Sequence, residues 1–274
     1  MSDQNRGAAF RALHQKGNPF ILANAWDIGS AKMLAALGAQ AIATSSAAHA
    51  FTLGRPDMGH VTRDEALAHA QDLVAAVSVP VSGDFENGFG DDPDSCAETV
   101  RLAYEAGLAG ISIEDTQLPA ATPYAREFAI ERIRAAASAA RALPGDFVLV
   151  ARADGIMNGQ YDLAEARARL TGYEAAGADC LYAPLPGTLD DQAAICAATD
   201  LPVNALAAGP FTAHSRADFA RAGVARISLG SALARATHKV IFDAAEEMFG
   251  AGGFTHLGKG ISGDKVDALL SMKN

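Results

Sequence analysis

The amino-acid sequence predicts a (β/α)8 TIM barrel, an α/β fold, with an extra helical segment at its C-terminal end. Its 274 residues are close to the roughly 250 that such a barrel usually takes. Short apolar runs alternate with alanine-rich stretches along the whole chain. This alternation is typical of parallel strands joined by helices. Because the pattern repeats through eight strand–helix units, it favours a closed barrel over an open sheet.

Each predicted strand is a short apolar run that ends in polar or turn-forming residues, as expected for strands that a barrel buries on both faces. In chain order these strands are 20–25, 41–45, 79–85, 110–114, 147–152, 180–183, 203–206 and 225–229. The helices predicted to follow them are 28–37, 63–77, 93–106, 127–142, 163–176, 189–198, 215–222 and 231–249.

Glycine recurs where a predicted helix ends and the next strand begins, at Gly38, Gly107, Gly177 and Gly223. Glycine adopts the left-handed conformation that closes a helix at low cost. We find no linker or low-complexity segment and expect a single domain over 1–274, with 250–274 as a C-terminal extension. We expect its amphipathic stretch, 265–272, to dock on a neighbouring subunit; a frayed terminus is the alternative.

The composition excludes several classes of partner. There are 22 basic and 32 acidic residues, a formal net charge of −10, which argues against nucleic acid and against an anionic membrane. No apolar run approaches the roughly 18 residues of a membrane span, and the first residues lack the apolar core of a signal peptide. Three widely spaced cysteines, Cys96, Cys180 and Cys196, suggest a reducing compartment. We therefore expect a cytoplasmic protein.

The segment 83–90, Gly-Asp-Phe-Glu-Asn-Gly-Phe-Gly, follows one of the apolar runs. Asp84 and Glu86 point to the same side of an extended backbone, where two carboxylates repel each other unless a cation or a proton lies between them. Mg²⁺ prefers such oxygen ligands and keeps waters that a substrate can displace. The alternative is an acidic turn with solvated carboxylates.

Polar residues also follow the other predicted strands. Since a barrel places its active site at the C-terminal ends of its strands, we expect these residues to form one site. Individually, Asp27 and Asp115 could cap helices, Arg152 and Asp154 could form a structural ion pair, and Trp26 could roof the pocket by packing. The strand-end residues are Asn24, Trp26, Asp27, Thr44, Ser45, Ser46, Asp84, Glu86, Glu114, Asp115, Arg152, Asp154 and Asn204.

The connection 46–60 is long for a loop between a strand and a helix. A mobile lid that closes over a substrate and brings Asp57 to the site would have this character. The alternative is an excursion with its own short helix.

In combination and in this order, the motifs resemble the isocitrate lyase/phosphoenolpyruvate mutase superfamily over nearly the whole chain. The matching segments are Asp84-Phe85-Glu86-Asn87-Gly88-Phe89-Gly90, Ile113-Glu114-Asp115, Ala151-Arg152-Ala153-Asp154 and Leu53-Gly54-Arg55-Pro56-Asp57. The first is similar to that superfamily's Asp-x-Asp-x-Gly-x-Gly metal loop, with Glu86 in place of an aspartate.

The resemblance implies a Mg²⁺-dependent enzyme, with Mn²⁺ as the alternative metal, that acts on small 2-oxo or 2-hydroxy carboxylates through an enolate. It implies metal binding by Asp84, Glu86 and Glu114, and catalytic roles for Asp57, Arg152 and Glu114. It also implies a homodimer or homotetramer with exchanged C-terminal helices. We expect a small carboxylate substrate to contact Trp26, Thr44, Ser45, Ser46, Asp84, Arg152 and Asn204.

Two departures from the superfamily's pattern narrow the set of possible reactions. The lyases of that superfamily carry a Lys-x-Cys-Gly-His loop after the fourth strand, whereas residues 116–123 here contain neither cysteine nor histidine. The lyases' glutamate after strand six is also absent. Isocitrate cleavage is therefore disfavoured, and C–C cleavage such as oxaloacetate decarboxylation or hydrolysis is preferred. The alternatives are phosphoenolpyruvate or phosphonopyruvate mutase or hydrolase chemistry, a barrel for another phosphorylated substrate, and a non-catalytic barrel that binds a 2-oxo dicarboxylate.

Overall fold

The computed structural model describes residues 3–272, and in it eight parallel strands close into a barrel. The predicted (β/α)8 architecture is confirmed. Around the barrel the strand order is β1, β2, β3, β4, β7, β8, β9 and β10, and β10 pairs with β1. These strands are β1 Phe20–Asn24, β2 Ile42–Ala43, β3 Val81–Asp84, β4 Gly110–Glu114, β7 Val148–Arg152, β8 Cys180–Tyr182, β9 Val203–Leu206 and β10 Arg226–Ser228.

Eight helices lie on the outside of the barrel and follow the strands as predicted, within a few residues at each end. They are α2 Ile28–Ala36, α4 Arg63–Ala76, α5 Pro93–Glu105, α6 Arg126–Arg141, α7 Leu163–Ala176, α8 Leu189–Ala197, α9 Arg216–Arg221 and α10 Ala232–Glu246. No helix in the described part of the chain is both long and apolar enough to cross a membrane.

Local sequence signals account for the helix boundaries. At the start of α4, the Thr62 side chain accepts a hydrogen bond from the Glu65 backbone, and the Glu65 side chain accepts one from the Thr62 backbone. This reciprocal cap satisfies two backbone donors that a helix end leaves free. At the end of α7, Gly177 has φ 101°, a conformation that a side chain would strain.

The apolar core has two layers. The larger lies between the strands and the outer helices, and the smaller fills the barrel interior. Helix α1, Asp3–Leu13, closes the N-terminal mouth of the barrel, because its Phe10 packs in the inner layer against Phe20. Its Arg11 forms an ion pair of 2.8 Å with Asp179, just before β8. The C-terminal mouth of the barrel is therefore the open one.

Four elements add to the predicted units. Besides α1, they are α3 Ser46–Thr52, the antiparallel hairpin of β5 Thr116–Gln117 with β6 Thr122–Pro123, and α11 Gly263–Ser271. Helix α11 includes most of the amphipathic stretch predicted from the sequence and packs against α2 of the same chain. Between α10 and α11 the chain makes a π-helical turn at Glu247–Ala251 and a 3-10 turn at Thr255–Lys259.

Candidate functional site

A cavity of about 340 Å³ opens at the C-terminal mouth of the barrel. Its walls are the ends of the strands, and the loop after α3 covers one side with Asp57 and Met58. The structure therefore brings together most of the residues predicted for the site. Those that line the cavity are Asn24, Thr44, Ser45, Ser46, Asp57, Asp84, Glu86, Glu114, Arg152 and Asp154.

Arg152, the last residue of β7, is the positive centre of this cavity. Its Nη1 lies 2.9 Å from Asp84 Oδ1 and 3.1 Å from Glu114 Oε2, and its Nη2 contacts Asp154 Oδ1. The guanidinium carbon also lies 5.2 Å from the centre of the Tyr182 ring, within cation–π distance. These carboxylates raise the pKa of Arg152 although burial alone would lower it, so the side chain is a fixed cation.

Asp84 is held by hydrogen bonds from two neighbouring strands. Its backbone N–H donates to Thr44 Oγ1 at 2.8 Å. Its Oδ2 accepts from the Ser46 backbone N–H at 3.0 Å and from the Ser46 hydroxyl at 2.9 Å, and its Oδ1 accepts from the Ser112 hydroxyl at 3.3 Å. These donors fix the carboxylate in one orientation, with one oxygen directed at Arg152.

Several carboxyl groups around Arg152 are held in an environment that disfavours their charge. Burial, opposed by a hydrogen bond of 3.0 Å from the Gly59 N–H, raises the pKa of Glu86 to about 7, and Asp84 and Asp57 add to the rise. Burial and the nearby carboxylate of Asp154 raise the pKa of Glu114 well above its usual range. Burial likewise raises the pKa of Asp57. Five acidic residues therefore line the cavity, and three of them, Asp84, Glu114 and Asp154, share the one guanidinium of Arg152.

This cluster of acidic residues bears directly on the predicted metal site. In the described part of the chain, no three histidine, cysteine, aspartate or glutamate side chains converge as a ready set of metal ligands. Arg152 Nη1 lies against both Asp84 and Glu114, so the facing oxygens of these two carboxyl groups are already paired. The donors nevertheless fit a hard divalent cation in type, because all are carboxylate oxygens, and in charge, because a cation would relieve their mutual repulsion.

Comparison with known proteins identifies the family. The model of the phosphoenolpyruvate phosphomutase family matches residues 10–249. The chain belongs to this family.

Three proteins similar to this chain are informative. A solved structure from Burkholderia cenocepacia J2315, provisionally assigned as a lyase/mutase, is 45% identical with a TM-score of 0.94, and the match covers 99% of this chain and 98% of that one. The 2-methylisocitrate lyase of Escherichia coli is 34% identical, over 66% of this chain and 63% of the enzyme. The oxaloacetate decarboxylase of Chromohalobacter salexigens is 29% identical, over 87% of this chain and 83% of the enzyme.

Two residues predicted to contact substrate lie outside the cavity of this phosphomutase-family barrel. Trp26 lies in a surface depression between α2 and α4, because its N–H donates to Ser30 at 3.1 Å and so joins the cap of α2. Its carbonyl accepts from His69 at 3.0 Å. Asn204 is fully buried beneath the cavity, where its amide nitrogen donates to the Ser228 hydroxyl at 2.8 Å.

The three hydroxyl residues after β2 line the cavity, but they already have partners within the chain. Thr44 and Ser46 bond to Asp84, as described, and the Ser45 hydroxyl caps α3 by accepting from the Ala48 N–H at 3.3 Å. In this arrangement they position the acidic group and the short helix. To bind a ligand carboxylate, Ser46 would have to exchange its bond to Asp84 for one to the ligand.

Neighbouring acids at the end of β4 have different environments. Glu114 faces the cavity, whereas Asp115 lies outside it. Asp115 accepts hydrogen bonds of 2.8–2.9 Å from the Asp154 N–H, from the Tyr161 and Tyr173 hydroxyls and from Arg169 Nη1. Asp115 is therefore a structural anion that fixes the backbone after β7, neither a cavity ligand nor a helix cap.

Polar cavity residues that the sequence analysis did not single out include Ser112, Tyr182, Arg226 and Arg235. The alternation of side chains along a strand could have found Ser112, because it shares a face with Glu114. The same signal applies to Arg226, which shares a face with Ser228 in β10. Tyr182 lies at the end of β8, where its position at a strand end is the signal that could have found it.

Proposed function

We propose that this chain is a divalent-metal-dependent lyase-type enzyme that acts on a small 2-oxo or 2-hydroxy carboxylate and cleaves a C–C bond, as in decarboxylation or hydrolysis of oxaloacetate. The observation that carries the proposal is the buried guanidinium of Arg152, which is shared by three carboxyl groups, those of Asp84, Glu114 and Asp154. Such a site gains from a divalent cation, and Arg152 then becomes free to pair with a substrate carboxylate.

The metal that we propose is Mg²⁺, or Mn²⁺, held by Asp84 together with Glu86 and Glu114. When bound, such an ion supplies a Lewis acid that withdraws electron density from a substrate carbonyl. The residues of the chain orient the site and the substrate. The fixed orientation of Asp84 spares the site a reorganisation, and the fork of Arg152 can align a planar carboxylate through two parallel hydrogen bonds.

The proton that follows C–C cleavage needs a donor. The β5–β6 hairpin stands where lyases of the superfamily carry cysteine and histidine, and it contains neither residue. Asp57 is half-buried at the cavity wall, and burial raises the pKa of its carboxyl group, so we assign the proton delivery to Asp57 or to a water beside it. This chemistry fits decarboxylation or hydrolysis better than cleavage of isocitrate.

The test is turnover of oxaloacetate by the wild-type chain with Mg²⁺, with Mn²⁺ and with a chelator, compared with Asp84→Asn. We expect metal-dependent turnover in the wild type and a loss of about 10²-fold or more in Asp84→Asn, the scale on which removal of one electrostatic group from an active site is felt. Asp92→Asn is the matched control, since Asp92 is exposed at the start of α5 and its side chain makes no capping bond. Equal turnover by Asp84→Asn and Asp92→Asn would refute the proposal.

The alternative function, in which the barrel binds a phosphorylated substrate, is weakened by the hydrogen bonds after the last barrel strand. Such a phosphate would bind backbone N–H groups after the last barrel strand. Here the N–H groups of Leu229 and Gly230 donate to Asn24 Oδ1 at 2.8 and 3.0 Å. The same assays test the remaining alternatives, which are mutase or hydrolase chemistry and a non-catalytic binding barrel. Turnover of a phosphonate or enol phosphate would favour mutase or hydrolase chemistry, and thermal stabilisation by an oxo acid without product would favour a binding barrel.

A further inference from the structure

The cavity contains a second buried arginine that the proposed chemistry does not use. Arg226 begins β10 and shares the inner face of the barrel with Ser228. It is 3% exposed and still lines the cavity. Its Nε donates to Asn204 Oδ1 at 2.9 Å, whereas its Nη1 is buried and, among the described residues, without a hydrogen-bond partner.

Arg226 also has no counter-ion. Among the ion pairs of the described residues, none includes Arg226. The contrast with Arg169 is instructive, because that buried arginine pairs with Asp115 and Glu165, each at 2.9 Å. A buried charge without a partner is costly. A ligand anion in the cavity would supply the missing partner of Arg226.

The position of Arg226 relative to Arg152 suggests the kind of anion. Both arginines line one cavity, and they are close enough that the charge of Arg152 helps to lower the pKa of Arg226, after burial. Asn204 and Tyr182 lie between them in the register of the strands, since Tyr182 pairs with Arg152 on one side and with Asn204 on the other, and Asn204 pairs with Arg226. Two guanidinium groups at two places in one cavity suit a ligand with an anionic group at each end.

We propose that Arg226 binds the distal carboxylate of a dicarboxylate ligand whose 2-oxo or 2-hydroxy carboxylate end lies at Arg152, and that Arg226 thereby selects dicarboxylates over monocarboxylates. The placement of the proximal end rests on the proposed function. The distal subsite rests on Arg226 itself, its unpartnered Nη1 and its place in the cavity wall. No covalent step is assigned to Arg226, so it is a specificity-determining residue.

The test compares two ligands of equal length, malate and 2-hydroxybutyrate, by titration calorimetry in the presence of Mg²⁺. We expect the wild type to bind malate about 10- to 100-fold more tightly, as a charged hydrogen bond to a buried group allows. Arg226→Met should abolish that preference, and Arg226→Lys should retain part of it. No preference in the wild type, or an unchanged preference in Arg226→Met, would overturn the inference.

Oxalate separates this inference from the proposed function, because it is too short to have a distal carboxylate. We expect wild type and Arg226→Met to bind oxalate equally with Mg²⁺. If the wild type binds no oxalate while the malate preference depends on Arg226, the proposed function fails and the subsite stands. If oxalate binds and the malate preference does not depend on Arg226, only the subsite fails. Inorganic phosphate that binds more tightly than malate, and only when Arg226 is present, would overturn the assignment to a carboxylate.

A merely structural role for Arg226 predicts a different result in the absence of ligand. If the arginine only held Asn204, then Arg226→Met would lower the melting temperature. We expect an equal or higher melting temperature, because methionine removes an unpaired buried charge at similar bulk. Arg169→Met is the matched control, since it breaks a paired buried arginine and should lower the melting temperature by several degrees. Equal losses in the two variants would count against the subsite.

Discussion

At the scale of single residues, Glu114 at the end of β4 and Asp115, which follows it, have different roles. Glu114 faces the cavity, where burial and other carboxylates raise its pKa. Asp115 faces the helices and accepts from four donors, one of which is the backbone N–H of Asp154. Since Asp154 in turn contacts Arg152, Asp115 anchors the segment that presents the central guanidinium.

The substitution Asp115→Asn tests this anchoring. It removes one of the two carboxylates that pair with the buried Arg169, and breaking a buried pair in this way costs about 3–5 kcal/mol. We expect the free energy of unfolding, measured by urea denaturation, to fall by that amount. Asp92→Asn, on the exposed start of α5, should change it by less than about 0.5 kcal/mol. Equal free energies of unfolding of the two variants would show that the hydrogen bonds of Asp115 do not contribute to stability.

At the scale of elements, the loop between α3 and α4 covers the site without regular secondary structure of its own. Its Gly59 N–H donates to Glu86 at 3.0 Å, and a Cβ on Gly59 would lie 3.0 Å from Leu118 Cβ in the β5–β6 hairpin. The loop is therefore fitted closely to the hairpin and to one of the proposed metal ligands.

The matched pair Gly59→Ala and Gly54→Ala tests that fit. Both glycines have a left-handed backbone, with φ 77° and φ 67°, but a Cβ on Gly54 would meet nothing within 4 Å. Strain from the backbone is thus common to both variants, and only Gly59→Ala adds a clash with the hairpin. We expect kcat/KM for the oxo acid to fall at least about tenfold further in Gly59→Ala, since lid closure completes such sites. Equal losses of kcat/KM in the two variants would show that the fit of the loop to the hairpin does not contribute to catalysis.

Helix α1 gives the fold a dependence on pH that is separate from the site. His14 packs between Phe10 and Phe20, and burial, aided by the charge of Arg226, lowers the pKa of His14 to about 3. The folded chain therefore keeps this ring neutral. The unfolded chain takes up a proton below its ordinary pKa of about 6.5. The stability contributed by neutral His14 is complete above pH 6.5 and is lost as the pH falls from there toward 3.

The substitution His14→Gln should remove that dependence. Between pH 7 and pH 5 the wild type should lose roughly 1–2 kcal/mol of unfolding free energy relative to the variant, since the limiting slope is about 1.4 kcal/mol per pH unit. Urea denaturation at a series of pH values measures the difference. A constant difference between the two proteins across this range would contradict a neutral buried His14.

At the scale of the whole molecule, the C-terminal part carries large apolar side chains that the described chain leaves uncovered. Ile241, Phe242, Phe249, Phe254 and Leu257 are between 57% and 86% exposed. Exposed apolar groups concentrated in one part of a protein mark an interaction surface. We propose that a second copy of the chain covers this part, as the expected homodimer or homotetramer requires.

Light scattering after size exclusion tests this proposal. We expect the wild type to have the mass of a dimer or tetramer, and Phe242→Asp with Phe249→Asp to shift it toward the monomer. A monomeric wild type at micromolar concentration would contradict it.

The sequence was sufficient to predict the architecture because its signals are local. Apolar runs and helix-ending glycines such as Gly177 mark the units, and the order of the units determines a barrel. Most of the site followed from the same reasoning, since every residue that ends a barrel strand lies at one mouth. The positions of Asp84, Glu114 and Arg152 at the ends of strands are enough to predict that they lie there.

What the sequence could not predict depends on tertiary contacts. Trp26 lies outside the cavity because it is two residues past the end of β1, where its backbone N–H joins the cap of α2. The pairing of Arg152 with Asp84 and Glu114 depends on side-chain conformations that no spacing encodes. Arg226 was missed because a charged residue at the start of an apolar run is read most simply as the exposed end of a strand, and only closure of the barrel buries it.

The most direct test of the account is anomalous diffraction from crystals soaked with Mn²⁺ and oxalate. The account predicts a manganese peak in the cavity, ligated by Asp84 and reached by Glu86 and Glu114 directly or through water, with oxalate between the metal and Arg152. A cavity without the peak, with Arg152 still paired to Asp84 and Glu114, would contradict it.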